Sequence, residues 1–319
     1  LTLTLSHLDV AALSWGPPDG RLVLCLHGFP DSAWGWRAMA PLLAEQGMRV
    51  VAPFSRGYAP TGPAPDGDYH IGALMYDALA VYRELGAPPD AVLIGHDWGA
   101  FTTSALAAYP DSPFAEHITM AVPPVGAINR SRGALTRQLR MAPRQLRNSW
   151  YILFFQLPGL PERLLPRIIP RLWRDWGPPG YPTDAELDAA LAALPSAAHR
   201  RAAVGYYPAM GPPSRPTARY ADLHSYRFAV PRVPILHLQG AQDGAMIADY
   251  AATLGDVLPA GSQVHTLPTA GHFLQIEEPQ AAAEAVLLYP RTAVHAGNVD
   301  AVKQFLTLGD SMLDRHILF

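Results

Sequence analysis

Residues 91–100 read Ala91-Val92-Leu93-Ile94-Gly95-His96-Asp97-Trp98-Gly99-Ala100. The first four form a short apolar run, the pattern of a strand buried on both faces of a sheet. A helical pattern follows over about 98–109. Between them stands Asp97, with Gly95 and Gly99 two residues to either side. Small residues there permit a tight strand-to-helix turn, which pushes the middle side chain outward. This is the layout of a nucleophile elbow, with Asp97 where serine often sits and the Trp98 N–H turned toward any oxyanion. Alone, the same residues also fit an ordinary turn whose aspartate caps a helix.

Strands and helices alternate around this turn. Residues 2–15 suggest two short strands, and Leu22-Val23-Leu24-Cys25-Leu26 a buried one. A helix is expected over 39–46 and a strand over 49–52. Ile71, Leu74, Met75, Ala78, Leu79 and Tyr82 mark one face of a helix over 71–85. Further strands are expected over 117–122, 234–239 and 264–267, and a helix over about 277–288. The alternation implies an α/β fold with a mostly parallel sheet flanked by helices. It stops between 126 and 218, where helical fragments cut by prolines are expected and no strand. The division predicted is a core over 1–125, a helical cap over 126–218, a second core part over 219–290 and an extension over 291–319. In the extension, Asn298 is placed to cap a helix carrying Val299, Val302, Phe305 and Leu306 and ending at Gly309.

The 319 residues and 34.5 kDa suit one core of roughly 200–250 residues plus an insertion. Hydrophobic content of 49% with 16% charged residues argues against disorder. Of the 33 prolines, thirteen fall in 126–218. Thirteen arginines fall there too, against five acids, inside a chain whose net charge is −3. Arg137, Arg140, Arg144 and Arg147 keep a helical spacing that Pro143 interrupts. Few aromatic residues interleave with them, so a solvated face is expected and no nucleic-acid partner. Cys25 is the single cysteine, which excludes an intrachain disulfide and fits a cytoplasmic protein. No run approaches the ~18 apolar residues of a membrane span, and none reads as a signal sequence.

Three more segments fall after predicted strands. His27-Gly28-Phe29-Pro30 follows the second buried strand, where the Phe29 N–H can serve as a second oxyanion donor. Asp243 lies in "LQGAQDGAM" and His272 in "AGHFLQIEEP". Nucleophile, acid and histidine then follow the chain order of an α/β-hydrolase.

With these segments, residues 1–290 resemble the epoxide hydrolase branch of the α/β-hydrolases, most specifically at HGFP and GHDWGA. "SWYILFFQLPGLPE", 149–162, is similar to that branch's cap. The resemblance implies a covalent ester on Asp97, hydrolysed by water that His272 and Asp243 activate. It assigns the epoxide oxygen to two cap tyrosines, Tyr151 before Phe155-Gln156 and Tyr207 of the Tyr206-Tyr207 pair. His27, Pro30, Trp150 and Phe155 are implied to face the substrate, and the bond before Pro30 to be cis. It implies an epoxide and water as partners, no metal or cofactor, and a monomer or homodimer. Departures are Pro208 where arginine is usual, Phe54 for aspartate, Ala59 for glycine, and a tail that does not match. A haloalkane dehalogenase, with Trp150, Trp173 or Trp176 as its lid halide donor, is the first alternative. A non-catalytic ligand-binding relative is the second, and it calls for a broken triad.

Overall fold

The computed structural model describes residues 1–131 and 134–293. β1 (Thr2–Thr4), β2 (Asp9–Trp15), β3 (Arg21–Leu26), β4 (Met48–Pro53), β5 (Val92–His96), β6 (Glu116–Met120), β7 (Leu236–Gly240) and β8 (Gln263–Leu267) make one eight-stranded sheet. Its order is β1-β2-β4-β3-β5-β6-β7-β8. β2 pairs antiparallel with β1 and β4, and the remaining pairs are parallel. The apolar runs lie in the middle of the sheet: every residue of β5 is buried, whereas the edge strand β8 is partly exposed. Truncating a residue such as Leu93 to alanine there costs about 2–5 kcal/mol. The register sets Leu26 against Gly95, so the loop after β3 emerges beside the turn after β5.

α1 (Ala40–Ala44), α2 (Ile71–Glu84) and α3 (Trp98–Ala108) connect the first strands. α3 is buried over all 11 residues, as a helix of small and apolar side chains against a sheet should be. α4 (Val125–Arg130) leaves the sheet after β6. The helical insertion then runs through α5 (Ala134–Asn148), α6 (Trp150–Phe154), α7 (Leu160–Trp176), α8 (Asp184–Ala192) and α9 (Ala197–Gly205). The chain returns through α10 (Ala221–Ser225), whose backbone lies so close to Gly72 that a Cβ there would strike it. Gly126 meets the backbone of Phe228 and Ala229 in the same way, bringing the two ends of the insertion together. α11 (Leu274–Glu277) and α12 (Pro279–Ala293) close the described chain.

The expected elements occur with shifted ends. The strand expected from 234 starts at Leu236, and the helix expected from 277 to 288 becomes α11 and α12, reaching Ala293. The prolines do not cut the cap helices as expected. Pro143 sits inside α5, and α7 runs 17 residues through Pro166 and Pro170. An interior proline costs about 3 kcal/mol. In α7 that cost is offset because Leu165, Ile168, Ile169, Leu172, Trp173 and Trp176 are all buried. Arg140, Arg144 and Arg147 are exposed. The helix expected from Asn298 lies outside the described residues. Among those described, no helix is long and apolar enough to cross a membrane.

Candidate active site

Glycines set the geometry of the turn after β5. A Cβ on Gly95 would collide with the carbonyl of Gly99, and one on Gly99 with that of Leu26. The first turn of α3 therefore packs directly on β3 and β5. Asp97, at the apex, has φ 52° and ψ −112°, a strained backbone for a residue with a Cβ. Its side chain is turned toward the loop after β3. There the Phe29 N–H donates to Asp97 Oδ1 at 2.7 Å. A Cβ on Gly28 would collide with Asp97 Oδ1 and lie against the Trp98 nitrogen, so glycine keeps this space free. The Phe29–Pro30 bond is cis.

The loops after β7 and β8 supply the acid and the base. Asp243 Oδ1 accepts the N–H groups of Ala245 (2.7 Å) and Met246 (2.9 Å). His272 Nδ1 lies 3.0 Å from Asp243 Oδ2. His272 Nε2 faces Asp97 Oδ2 at 3.6 Å and has no hydrogen-bond partner. Burial disfavours a charge on His272, but Asp243 and then Asp97 outweigh it and push its pKa up to about 10. Burial likewise opposes charge on Asp97, and there His272 prevails, helped by His96 and the Phe29 N–H, so its pKa falls below the ordinary carboxylate value. Both shifts favour a protonated His272 facing an ionised Asp97 in the resting site.

The cap closes over these groups with aromatic rings. Tyr207 packs edge-on against Phe29 (5.5 Å), Trp98 (5.3 Å) and Phe155 (4.9 Å). Tyr151 meets Tyr207 at 5.6 Å and Trp176 at 5.1 Å. Burial pushes both phenols well above their ordinary pKa, and the Asp97 charge adds to the shift in each. Tyr206 is elsewhere engaged, donating its O–H to the Arg56 carbonyl at 2.7 Å. Pro208 opens a short 3-10 turn, Pro208–Met210, where a missing N–H is tolerated. The departure at 208 therefore leaves Tyr207 over Asp97's neighbours.

Asp97, Asp243, His272, Tyr151, Tyr207, Phe29, Trp98 and Phe155 are brought together. His27 is not aimed at that space. The Ser55 N–H donates to its Nε2 at 3.0 Å, and Nδ1 lies 2.9 Å from the Gly28 carbonyl. With both nitrogens engaged and burial lowering its pKa to about 4, His27 pins the loop as a neutral ring. Pro30 is reached through its carbonyl, which accepts from the Trp173 indole at 2.9 Å. Trp150 stands at the edge of this cluster. It is half-buried beneath the Arg171 guanidinium, 4.9 Å from its ring, and lines a pocket of about 320 Å³ with Arg147, Asp175, Trp176 and Gly244. Among the described residues, no three His, Cys, Asp or Glu side chains gather as a metal site.

Several participants were not singled out in the sequence. The Trp176 carbonyl accepts both the Gly244 N–H (3.2 Å) and the His272 N–H (3.0 Å), tying the end of α7 to the acid and base loops. The Trp176 ring lies 4.9 Å from that of His272. Asp31, directly after Pro30, is buried with its pKa raised to about 7 by burial, against the Ser32 N–H and the Gln275 amide. Its place next to HGFP was a signal; Trp176 was named only as a halide donor for the alternative reading, and nothing in 126–218 marked its carbonyl as a tie to the acid and base loops.

The α/β-hydrolase fold family model matches residues 21–279. The chain is 34% identical to epoxide hydrolase A of Mycobacterium tuberculosis over 46% of its own length and 44% of that protein. It is 30% identical to epoxide hydrolase 3 of Xenopus tropicalis over 83% of its length and 70% of that protein. It spans about half the length of the curated relatives it matches at 34–35% identity. A solved epoxide hydrolase from Bacillus megaterium, in complex with an inhibitor, superposes with a TM-score of 0.70 over 91% of this chain and all of that one, at 22% identity.

Proposed function

The chain belongs to the α/β-hydrolase fold family, and on that premise we propose that it is an epoxide hydrolase that opens epoxides to vicinal diols. The observation that carries this reading is an aspartate on the elbow beneath paired tyrosines, Tyr151 and Tyr207. A carboxylate needs no deprotonation at neutral pH. Asp97 attacks one epoxide carbon, the ring C–O bond breaks, and an alkyl ester forms. Tyr151 and Tyr207 hydrogen-bond the departing oxygen, and one of them protonates it. The raised phenol pKa values keep that proton in place until the ring opens.

Esterification removes the charge of Asp97, one of the two carboxylates that hold His272 protonated. The imidazole pKa then falls, its Nε2 proton passes through solvent to the phenolate that ring opening left, and Nε2 becomes free to take a proton from water. Water attacks the ester carbonyl, and the N–H groups of Phe29 and Trp98 hold the oxyanion; losing one such donor costs about 3–4 kcal/mol. The ester breaks, His272 returns the proton to the diol, and Asp97, now holding one oxygen from water, gives its acid proton to His272 and is ionised again. Side chains, two backbone N–H groups and water carry every step. The helices of 126–218 act as the cap, and the rest of the described chain as the hydrolase core.

A haloalkane dehalogenase would share the triad but needs a halide donor. The Trp173 indole is already committed to the Pro30 carbonyl and Trp150 lies against Arg171, so Trp176, 4.9 Å from His272, is the donor left to that reading; the paired phenols, which serve a departing alkoxide, favour the epoxide. A non-catalytic role fits poorly with an assembled triad. Repeated turnover of an epoxide in heavy-oxygen water should label Asp97, while the first diol carries unlabelled oxygen. Label in the first diol, with none in the enzyme, would reject the covalent route.

A further inference from the structure

β7 carries two polar side chains where a strand covered on both faces usually has none. His237 and Gln239 are each 0% exposed and alternate with Leu236 and Leu238, so both point to one face. Buried polar groups of this kind are destabilising unless paired. Here they are paired in series. Thr119 Oγ1 lies 2.9 Å from His237 Nδ1 across the β6–β7 register. His237 Nε2 lies 3.3 Å from Gln239 Oε1, and Gln239 Nε2 lies 3.0 Å from Asp243 Oδ2.

One proton arrangement satisfies the series. An ionised Asp243 only accepts, so Gln239 must present its NH₂ group to it. Its carbonyl then faces His237, which must donate from Nε2. His237 Nδ1 is left to accept from the Thr119 hydroxyl. Burial lowers the His237 pKa to about 4, so the ring stays neutral and this tautomer persists. Every donor points toward Asp243. The backbone N–H groups of Ala245 and Met246 occupy Asp243 Oδ1, so Gln239 is the side-chain donor that fixes Oδ2 beside the His272 Nδ1.

We propose that Gln239, braced by His237 and Thr119, is a positioning residue for ester hydrolysis, fixing the Asp243 carboxylate that orients His272. This rests on the reading of Asp97 as nucleophile and of Asp243–His272 as the hydrolytic pair. Gln239 contacts neither Asp97 nor the cap tyrosines and meets Asp97 only through Asp243 and His272, so ring opening should change by no more than a few-fold.

Gln239→Met keeps length and volume but removes the donor. On a fast epoxide substrate its kcat should fall about 10- to 100-fold, the range for losing a hydrogen bond to a charged group. KM should fall in parallel, kcat/KM should stay within a few-fold, and the ester should accumulate as an added mass on the protein. Thr119→Val, at the far end, should show a smaller loss with the same signature, and it carries the test if Gln239→Met does not fold. Unchanged kcat and KM in both would overturn the proposal. So would a fall in kcat at constant KM with no added mass, because that marks only fewer folded molecules. His272→Gln in the otherwise native chain serves as control. If it traps no ester, the parent reading fails and the proposal with it; if it traps ester while Gln239→Met behaves as wild type, the proposal alone fails.

Discussion

At the sheet, the reacting groups are held by backbone. The Phe29 N–H fixes Asp97, and the N–H groups of Ala245 and Met246 fix Asp243. The loops that present them follow the parallel strands β3, β5 and β7, with β6 between the last two, so their spacing is set by the sheet. In the cap, Tyr151 and Tyr207 are held by rings: Phe29, Trp98, Phe155 and Trp176. Backbone hydrogen bonds are directional and tolerate little change at the residues that make them. Ring packing is less directional and tolerates exchange of one apolar side chain for another. The core should therefore respond to mutation as a unit, and the cap in increments.

Asp97→Ala tests the core most severely. Turnover should fall by about 10,000-fold or more, as when a covalent nucleophile is removed, while the fold persists on circular dichroism. Near-normal diol formation would end the assignment. The cap should yield in steps. Tyr151→Phe or Tyr207→Phe alone leaves one phenol on the departing oxygen and should cost about 10-fold, against the 100- to 10,000-fold of full acid catalysis expected for the double variant. A single variant as damaged as the double would show that the two do not substitute for each other.

The pH dependence separates core and cap in a different way. Asp97 is shifted below the ordinary carboxylate range and the two phenols well above theirs, so Asp97 stays ionised and the phenols protonated everywhere between those ordinary values. Ring opening, read as kcat/KM, should be flat across that range. Hydrolysis needs neutral His272, whose resting pKa of about 10 drops once Asp97 is esterified. The kcat should therefore fall on the acid side with the midpoint of the esterified enzyme. Parallel profiles for kcat and kcat/KM would contradict this division. The smallest effect is expected at the seam between the two regions. Trp173→Phe removes the hydrogen bond to the Pro30 carbonyl but keeps the stack on Phe273, 3.8 Å away. It should lower unfolding stability by about 1 kcal/mol in denaturant melts, with turnover within a few-fold.

The two regions also differed in legibility. The elbow could be read from the sequence because Gly95 and Gly99 answer a local steric need within five residues, and local needs leave local patterns. Tyr151 came through resemblance to a cap segment, not through periodicity. Trp150, its neighbour, came by the same route, and one helical step turns it toward Arg171. The cap prolines were read as breaks because propensity opposes them; the burial of one face of α7, invisible locally, outweighed that. The Thr119–His237–Gln239 series joins strands more than a hundred residues apart in the chain, so no window of sequence contains it.

By itself, the sequence determined the α/β alternation, the elbow, the loop that carries Phe29, and the chain order of Asp97, Asp243 and His272. Each follows from hydrophobic period or glycine sterics over a few residues. The tertiary structure decided what those residues experience. It set His272 between two carboxylates, engaged both His27 nitrogens, tied the end of α7 to the acid and base loops, and held the Tyr206 hydroxyl on the Arg56 carbonyl. These depend on burial and on partners distant in sequence, and the desolvation that shifts a pKa exists only once the chain has excluded water around the group.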